Sequence, residues 1–103
     1  MTAAYGNDRY NLEFHSNIFV CVLYRRAKGI IDRSFDSDKV FDGLKMEGFP
    51  DRQQARAELV QFLQQEQPSR INYDRNNNTV KLTQQGVDWA KQQCDKAPYT
   101  NYP

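Results

Sequence analysis

The sequence predicts a single α+β domain, residues 1–103, made of four helices and one β-hairpin. Its 103 residues suit one domain. Four segments carry apolar side chains at helical spacing, whereas residues 70–82 alternate between apolar and polar side chains around a run of asparagines. Residues 1–9 and 97–103 are expected to be loosely ordered tails.

The charge of the chain is nearly balanced. It has 14 Lys and Arg against 13 Asp and Glu, which gives a net charge of +1, and its mean hydropathy is -0.87. These values predict little general attraction for a polyanion and no membrane span. The polar residues include 10 Gln and 8 Asn, so the surface is expected to be rich in amides.

The first predicted helix runs from about Tyr10 to Lys28. Apolar residues recur at i, i+1, i+4 and i+5 from Ile18, and Gly29 suits the C-terminal end. A strand is the alternative, because residues 18–24 are mostly β-branched or aromatic. Apolar side chains extend beyond one face, which predicts a helix at the centre of the domain or in a subunit interface.

A short strand and a short helix are predicted next. Ile30 and Ile31 form an apolar pair that suits a stub of strand, and residues 32–37 suit a loop. Asp36 or Ser37 can cap the following helix. Gly48 and Pro50 then end that helix and begin the next, which gives a helix-turn-helix.

The third helix is predicted from Pro50 to Gln65, with Asp51 and Gln54 at the spacing of a capping box. Its core-facing side chains are expected to be Ala55, Leu59, Phe62 and Leu63. Its exposed side is made mainly of amides.

A hairpin and a last helix complete the domain. Residues 70–74 and 79–82 alternate as strands, and the Asn run between them suits a tight turn, because Asn tolerates the left-handed conformation. Thr83 is the predicted cap of a helix that continues through Val87, Ala90 and Cys94. Pro98 ends it.

Both cysteines are expected to be reduced. Cys21 lies in an apolar run where a buried thiol is common. The separation of the two cysteines along the chain permits a disulfide, but two cysteines do not make a disulfide framework. The first residues do not have the basic and apolar regions of a signal peptide. The predicted location is therefore the cytoplasm.

Residues 80–86, Val-Lys-Leu-Thr-Gln-Gln-Gly, resemble the strand-to-helix junction of winged helix-turn-helix domains in small prokaryotic regulators. The order of elements over residues 12–95 is similar as well. The resemblance implies a winged helix-turn-helix fold: helix, short strand, helix, helix, β-hairpin wing and C-terminal helix. It also implies a homodimeric transcriptional regulator that binds duplex DNA, with helix 50–65 in the major groove and hairpin 70–82 beside the phosphates.

The resemblance assigns DNA contacts to the third helix and the hairpin. Gln can bond to adenine edges, while Arg, Lys and Asn can contact phosphates. The residues assigned in this way are Arg52, Gln53, Gln54, Arg56, Gln61, Arg70, Arg75, Asn77 and Lys81. No cofactor or metal is expected.

The charge of the third helix argues against tight DNA binding, because residues 50–67 have a net charge of -1. Winged helices also serve as protein-interaction modules, and this is the alternative function. The surface charge separates the two hypotheses. A continuous positive face favours DNA binding, and an interrupted one favours a protein partner. The residues of that face are Arg52, Arg56, Arg70, Arg75 and Lys81.

Catalysis has little support in the sequence. His15 is the single histidine, and a lone histidine is usually a surface or satisfied core residue. The carboxylates between Asp32 and Asp42 do not follow the ligand order of a calcium loop. The sequence contains no zinc-ligand spacing, phosphate-binding glycine loop or nucleophile elbow. The protein is therefore not expected to be an enzyme.

Overall fold

The computed structural model of the chain describes residues 11–45 and 51–103. Over these residues the chain is an α+β domain with four α-helices and a three-stranded antiparallel sheet, as predicted at this level. The elements are α1 (Leu12–Ala27), β1 (Phe35–Asp36), α2 (Ser37–Asp42), α3 (Arg52–Gln64), β2 (Ile71–Asp74), β3 (Thr79–Leu82) and α4 (Gln84–Gln93), followed by a 3-10 turn at Tyr99–Asn101.

The central element is α1. Asn11 caps it, because its side-chain oxygen accepts the backbone N–H of Phe14 at 2.9 Å. Every residue from Ile18 to Leu23 is fully buried, and α1 packs against α2, α3, α4 and β3. The helix prediction is confirmed over the strand alternative. The central position explains why the apolar surface of α1 is so broad.

The short strand does not lie where the sequence predicted it. Ile30 and Ile31 fall in the segment that follows α1, where Ile30 is 50% exposed. β1 forms at Phe35–Asp36 instead, because Phe35 pairs with Val80 of β3. An adjacent apolar pair specifies neither a register nor a pairing partner, which is why the prediction was wrong.

The helices α2 and α3 begin at predicted caps. Asp36 accepts the backbone N–H of Asp38 at 2.8 Å, and Asp51 accepts that of Gln54 at 3.0 Å. The buried side chains of α3 are Ala55, Leu59, Val60 and Leu63. Phe62, predicted to be in the core, is only half-buried. The reason is that α3 packs against both α1 and β2, which turns its buried arc toward Val60. The break predicted at residues 48–50 lies outside the described residues.

The predicted hairpin is confirmed. β2 pairs with β3 from Ile71–Leu82 to Asp74–Thr79, and β3 also pairs with β1, so the strand order is β1-β3-β2. Residues 75–78 form the turn. Asn78 adopts a φ of 53°, the left-handed conformation that asparagine tolerates.

The junction between β3 and α4 ties the last helix to the base of the hairpin. The hydroxyl of Thr83 accepts the backbone N–H of Gly86 at 3.1 Å and donates to the carbonyl of Ser69 at 2.6 Å. A Cβ atom on Gly86 would overlap the carbonyl oxygen of Arg70. Both the threonine and the glycine of this pattern therefore have a local structural cause.

The two cysteines are bonded to each other, so the prediction that both are reduced is wrong. Cys21 in α1 and Cys94 at the end of α4 form a disulfide with Cα atoms 5.5 Å apart. They are 73 residues apart in sequence, and only the packing of α1 against α4 brings them together. Disulfides are rare in cytosolic proteins, which weighs against the predicted cytoplasmic location. Among the described residues, no helix has both the length and the apolar character to cross a membrane.

The C-terminal segment packs along α1. Arg25 donates to the carbonyl of Cys94 at 2.6 Å and to that of Tyr102 at 3.1 Å. Asn17 donates to the hydroxyl of Tyr99 at 3.0 Å. Because Arg25 is used in this way, it is not a free surface cation.

Candidate functional site

The exposed side of α3 faces the hairpin across an open groove. The groove has a volume of about 430 Å³, and we call it the α3–hairpin groove. It is lined by Arg56, Ala57, Val60, Gln61, Gln64, Tyr73 and Arg75. The apolar groups come from Ala57, Val60 and the ring of Tyr73, and the amides come from Gln61 and Gln64. The described lining contains two arginines and no carboxylate.

The charge at the N-terminal end of α3 is closer to neutral than that of the groove lining, because two exposed carboxylates of α2 pair with the arginines of α3. Asp38 is 2.5 Å from the Nε of Arg56, and Asp42 is 2.8 Å from Arg52. Arg52 also lies over the ring of Phe41. The side chains of Asp38 and Asp42 are 59% and 63% exposed. Carboxylates in this position would repel a phosphate that approached the start of α3.

The amides predicted to contact bases are not equally available. Gln53 and Gln61 are exposed. Gln54 is partly buried and donates to Glu58 at 3.0 Å. Of these three, Gln61 lines the α3–hairpin groove, whereas Gln53 lies in the smaller cleft between α2 and α3. Gln64, which was not predicted to contact bases, also lines the groove.

The tip of the hairpin carries one free cation. Arg75 is exposed and forms no ion pair within the described part of the chain. Asn77 is also exposed, but its side chain donates to Asp74 at 2.8 Å. The hydrogen bonds from Asn77, together with the charge of Lys81, lower the pKa of Asp74. The turn is thus organised around the carboxylate of Asp74.

Lys81 lies on the other face of the sheet. It pairs with Asn72, and successive side chains of a strand point to opposite faces. Ile71, Val80 and Leu82 are buried against the core, so Asn72 and Lys81 point away from it. The lysine is therefore separated from the α3–hairpin groove by the thickness of the sheet.

Arg70 is not a surface residue, contrary to its assignment to DNA. Its side chain is only 9% exposed. It forms a bidentate ion pair with Glu66 at 2.7 and 2.9 Å, donates to Asn17 at 2.8 Å, and lies 4.5 Å from the ring centre of Trp89. We call these four residues the Arg70 cluster. The signal in the sequence was Glu66, four residues before Arg70.

The five cations of the predicted positive face are thus dispersed. Arg56 and Arg75 share the groove, Arg52 is paired at the start of α3, Lys81 is across the sheet, and Arg70 is buried in its cluster. The face is interrupted rather than continuous.

Within residues 11–45 and 51–103, no group of three or more His, Cys, Asp and Glu is placed to hold a metal ion. His15 is buried on α1, and its Nδ1 lies 2.8 Å from the carbonyl oxygen of Asn11. Burial lowers its pKa, and the bond to Asn11 opposes that effect.

Comparisons with protein-family models, with curated proteins and with solved structures give no match to this chain. The functional argument therefore depends on the α3–hairpin groove and the charges around it.

Proposed function

We propose that this chain is a winged helix-turn-helix domain that acts as a protein-interaction module. In this fold α2 and α3 are the helix-turn-helix, and the β2–β3 hairpin is the wing. The order of elements and the Thr83–Gly86 junction support the assignment. The binding surface is the α3–hairpin groove, and its ligand is a segment of another polypeptide.

The interruption of the positive face carries this proposal. Duplex DNA binds through rows of phosphates, and each neutralised phosphate adds to the affinity. Of the described cations, only Arg56 and Arg75 reach the groove, and Arg56 is already paired with Asp38. About two phosphate contacts predict a salt slope of only about -1.8, which is small for a DNA-binding protein.

The lining of the groove suits a polypeptide. Its apolar residues can accept an apolar side chain. The amides of Gln61 and Gln64 can donate to peptide carbonyls and accept from peptide N–H groups. Arg75 can pair with a carboxylate. The groove therefore favours a segment that has an apolar residue close to an acidic one.

A peptide selection tests the proposal. A phage-displayed library of random twelve-residue peptides is selected on the disulfide-bonded chain, and enriched peptides are measured by fluorescence anisotropy. We expect acidic and apolar residues to be enriched. Ala57→Trp, which fills the groove, should reduce the affinity at least tenfold, whereas Gln92→Trp on the exposed side of α4 should not. The proposal is wrong if no peptide is enriched, or if both variants bind equally.

DNA binding is the second candidate function. One observation favours it: the described lining of the groove holds two arginines and two glutamines without a carboxylate. A homodimer would double the phosphate contacts, and we retain the predicted homodimer as part of this candidate. Anisotropy of a labelled 20-base-pair duplex tests it at low salt. Binding that Arg75→Ala weakens, and Lys96→Ala does not, would support DNA over a protein partner.

A further inference from the structure

Within the described part of the chain, the sheet has a free edge beside the groove. β2 is at the end of the strand order, and among residues 11–45 and 51–103 it pairs only with β3. The other edge is β1, which has two residues. β2 contains neither Pro nor Lys, the residues that commonly protect an edge strand from pairing.

The hydrogen bonds show which backbone groups of β2 point to that edge. Ser37 donates its N–H to the carbonyl of Asn78 at 3.0 Å, which continues the β1–β3 ladder. Bonded pairs alternate along an antiparallel ladder, so Val80 directs its N–H and C=O toward β1. Tyr73, its partner in β2, therefore directs its N–H and C=O away from β3.

The start of β2 gives the same result independently. The hydroxyl of Ser69 donates to the carbonyl of Ile71 at 2.8 Å and accepts the N–H of Ile71 at 3.3 Å. Ile71 therefore also turns its backbone groups outward, as Tyr73 must, two residues later. Ser69 therefore bonds to the outward N–H and C=O of Ile71. Within the described chain, no group bonds to the outward N–H and C=O of Tyr73.

We propose that the partner segment binds as an added strand on the β2 edge, bonded through its main chain to the N–H and C=O of Tyr73. This inference rests on the proposed function, and it specifies how the polypeptide binds. The ring of Tyr73 lines the groove, and Arg75 follows two residues later. An extended segment paired at Tyr73 therefore places an apolar side chain on the groove floor and a carboxylate near Arg75.

A pair of variants at one position tests strand addition with the selected peptides. Tyr73→Pro removes the ring and the outward N–H, whereas Tyr73→Ala removes only the ring. Proline is tolerated where an edge-strand N–H faces outward, so the β2–β3 ladder should survive. We expect Tyr73→Pro to bind roughly fivefold to tenfold more weakly than Tyr73→Ala, the effect of one lost main-chain hydrogen bond.

N-methylation of the peptide provides the second measurement, because it leaves the protein unchanged. One N-methyl position should weaken binding to the wild-type chain by a similar factor, and the adjacent positions should not. Strand addition is wrong if the two Tyr73 variants bind equally and no N-methyl position weakens binding. That result would leave the proposed function intact, because the peptides still bind. Failure to select any peptide would instead overturn the proposed function.

Discussion

The two ends of the hairpin use arginine in opposite ways. At the base, Arg70 is buried and holds Glu66, Asn17 and Trp89 together, which connects the segment after α3 to α1 and α4. At the tip, Arg75 is exposed and has no ion-pair partner among the described residues. Five positions along one hairpin thus separate a structural arginine from one that is available to a ligand.

This difference shows how a near-neutral protein distributes its charge. A buried guanidinium must have its hydrogen bonds satisfied internally, so Arg70 contributes to folding and not to the surface potential. Ion pairs with a solvent-exposed carboxylate, such as Arg56–Asp38, are held weakly. The charges around the α3–hairpin groove can therefore change partners, and those of the Arg70 cluster cannot.

Removal of the disulfide should cause the largest loss in the free energy of unfolding. The bridge between Cys21 and Cys94 closes a 73-residue separation, for which loop entropy predicts a loss of about 4 kcal/mol in the double variant Cys21→Ala/Cys94→Ala. Urea unfolding of that variant and the oxidised wild type gives the difference. A loss below about 1 kcal/mol would show that hydrogen bonds such as Arg25–Cys94 already hold α4.

The second prediction compares the two arginines directly. Arg70→Ala should lower the free energy of unfolding by about 2–4 kcal/mol, because it leaves Glu66 and Asn17 partly buried without their partner. Arg75→Ala should change it by less than about 0.5 kcal/mol. The matched pair is measured by urea unfolding. Similar losses in both variants would contradict the distinction between base and tip.

The elements of this fold were more predictable than the use of its charged residues. Asn78, Asp51 and Thr83 act through the nearest few residues, so the sequence identified the hairpin turn and both caps. Their effects are local. The position of β1 depended on Phe35 meeting Val80, a contact that no local pattern specifies.

The candidate site was predicted only in part for the same reason. Gln61 and Arg75 do line one groove, as the order of elements suggests. Tertiary packing determines that the α3 arginines pair with Asp38 and Asp42. It also places Lys81 on the other side of the sheet. The disulfide is the clearest case, since composition alone gave the wrong redox state.

The third prediction concerns the exposed ion pairs beside the groove. Asp38→Asn/Asp42→Asn should release Arg56 from its ion pair and add Arg52 as a third contact, and thereby steepen the salt dependence of duplex binding from a slope of about -1.8 to about -2.7. Stability should change by less than about 1 kcal/mol per pair. Asp95→Asn, beyond α4, is the control. An unchanged slope would mean that the released arginines do not face the duplex.

The smallest expected effect is the contribution of the buried His15 to the pH dependence of the free energy of unfolding. Burial lowers the pKa of His15 below 6.5, so the unfolded chain binds more protons than the folded chain as the pH falls through that value. This contribution to stability is complete above pH 6.5 and is lost progressively below it. Unfolding experiments between pH 8 and pH 5 measure it as the difference between the wild type and His15→Gln. Identical pH profiles would show that protonated His15 is accommodated without cost, and that this part of α1 is as open to water as the hairpin tip.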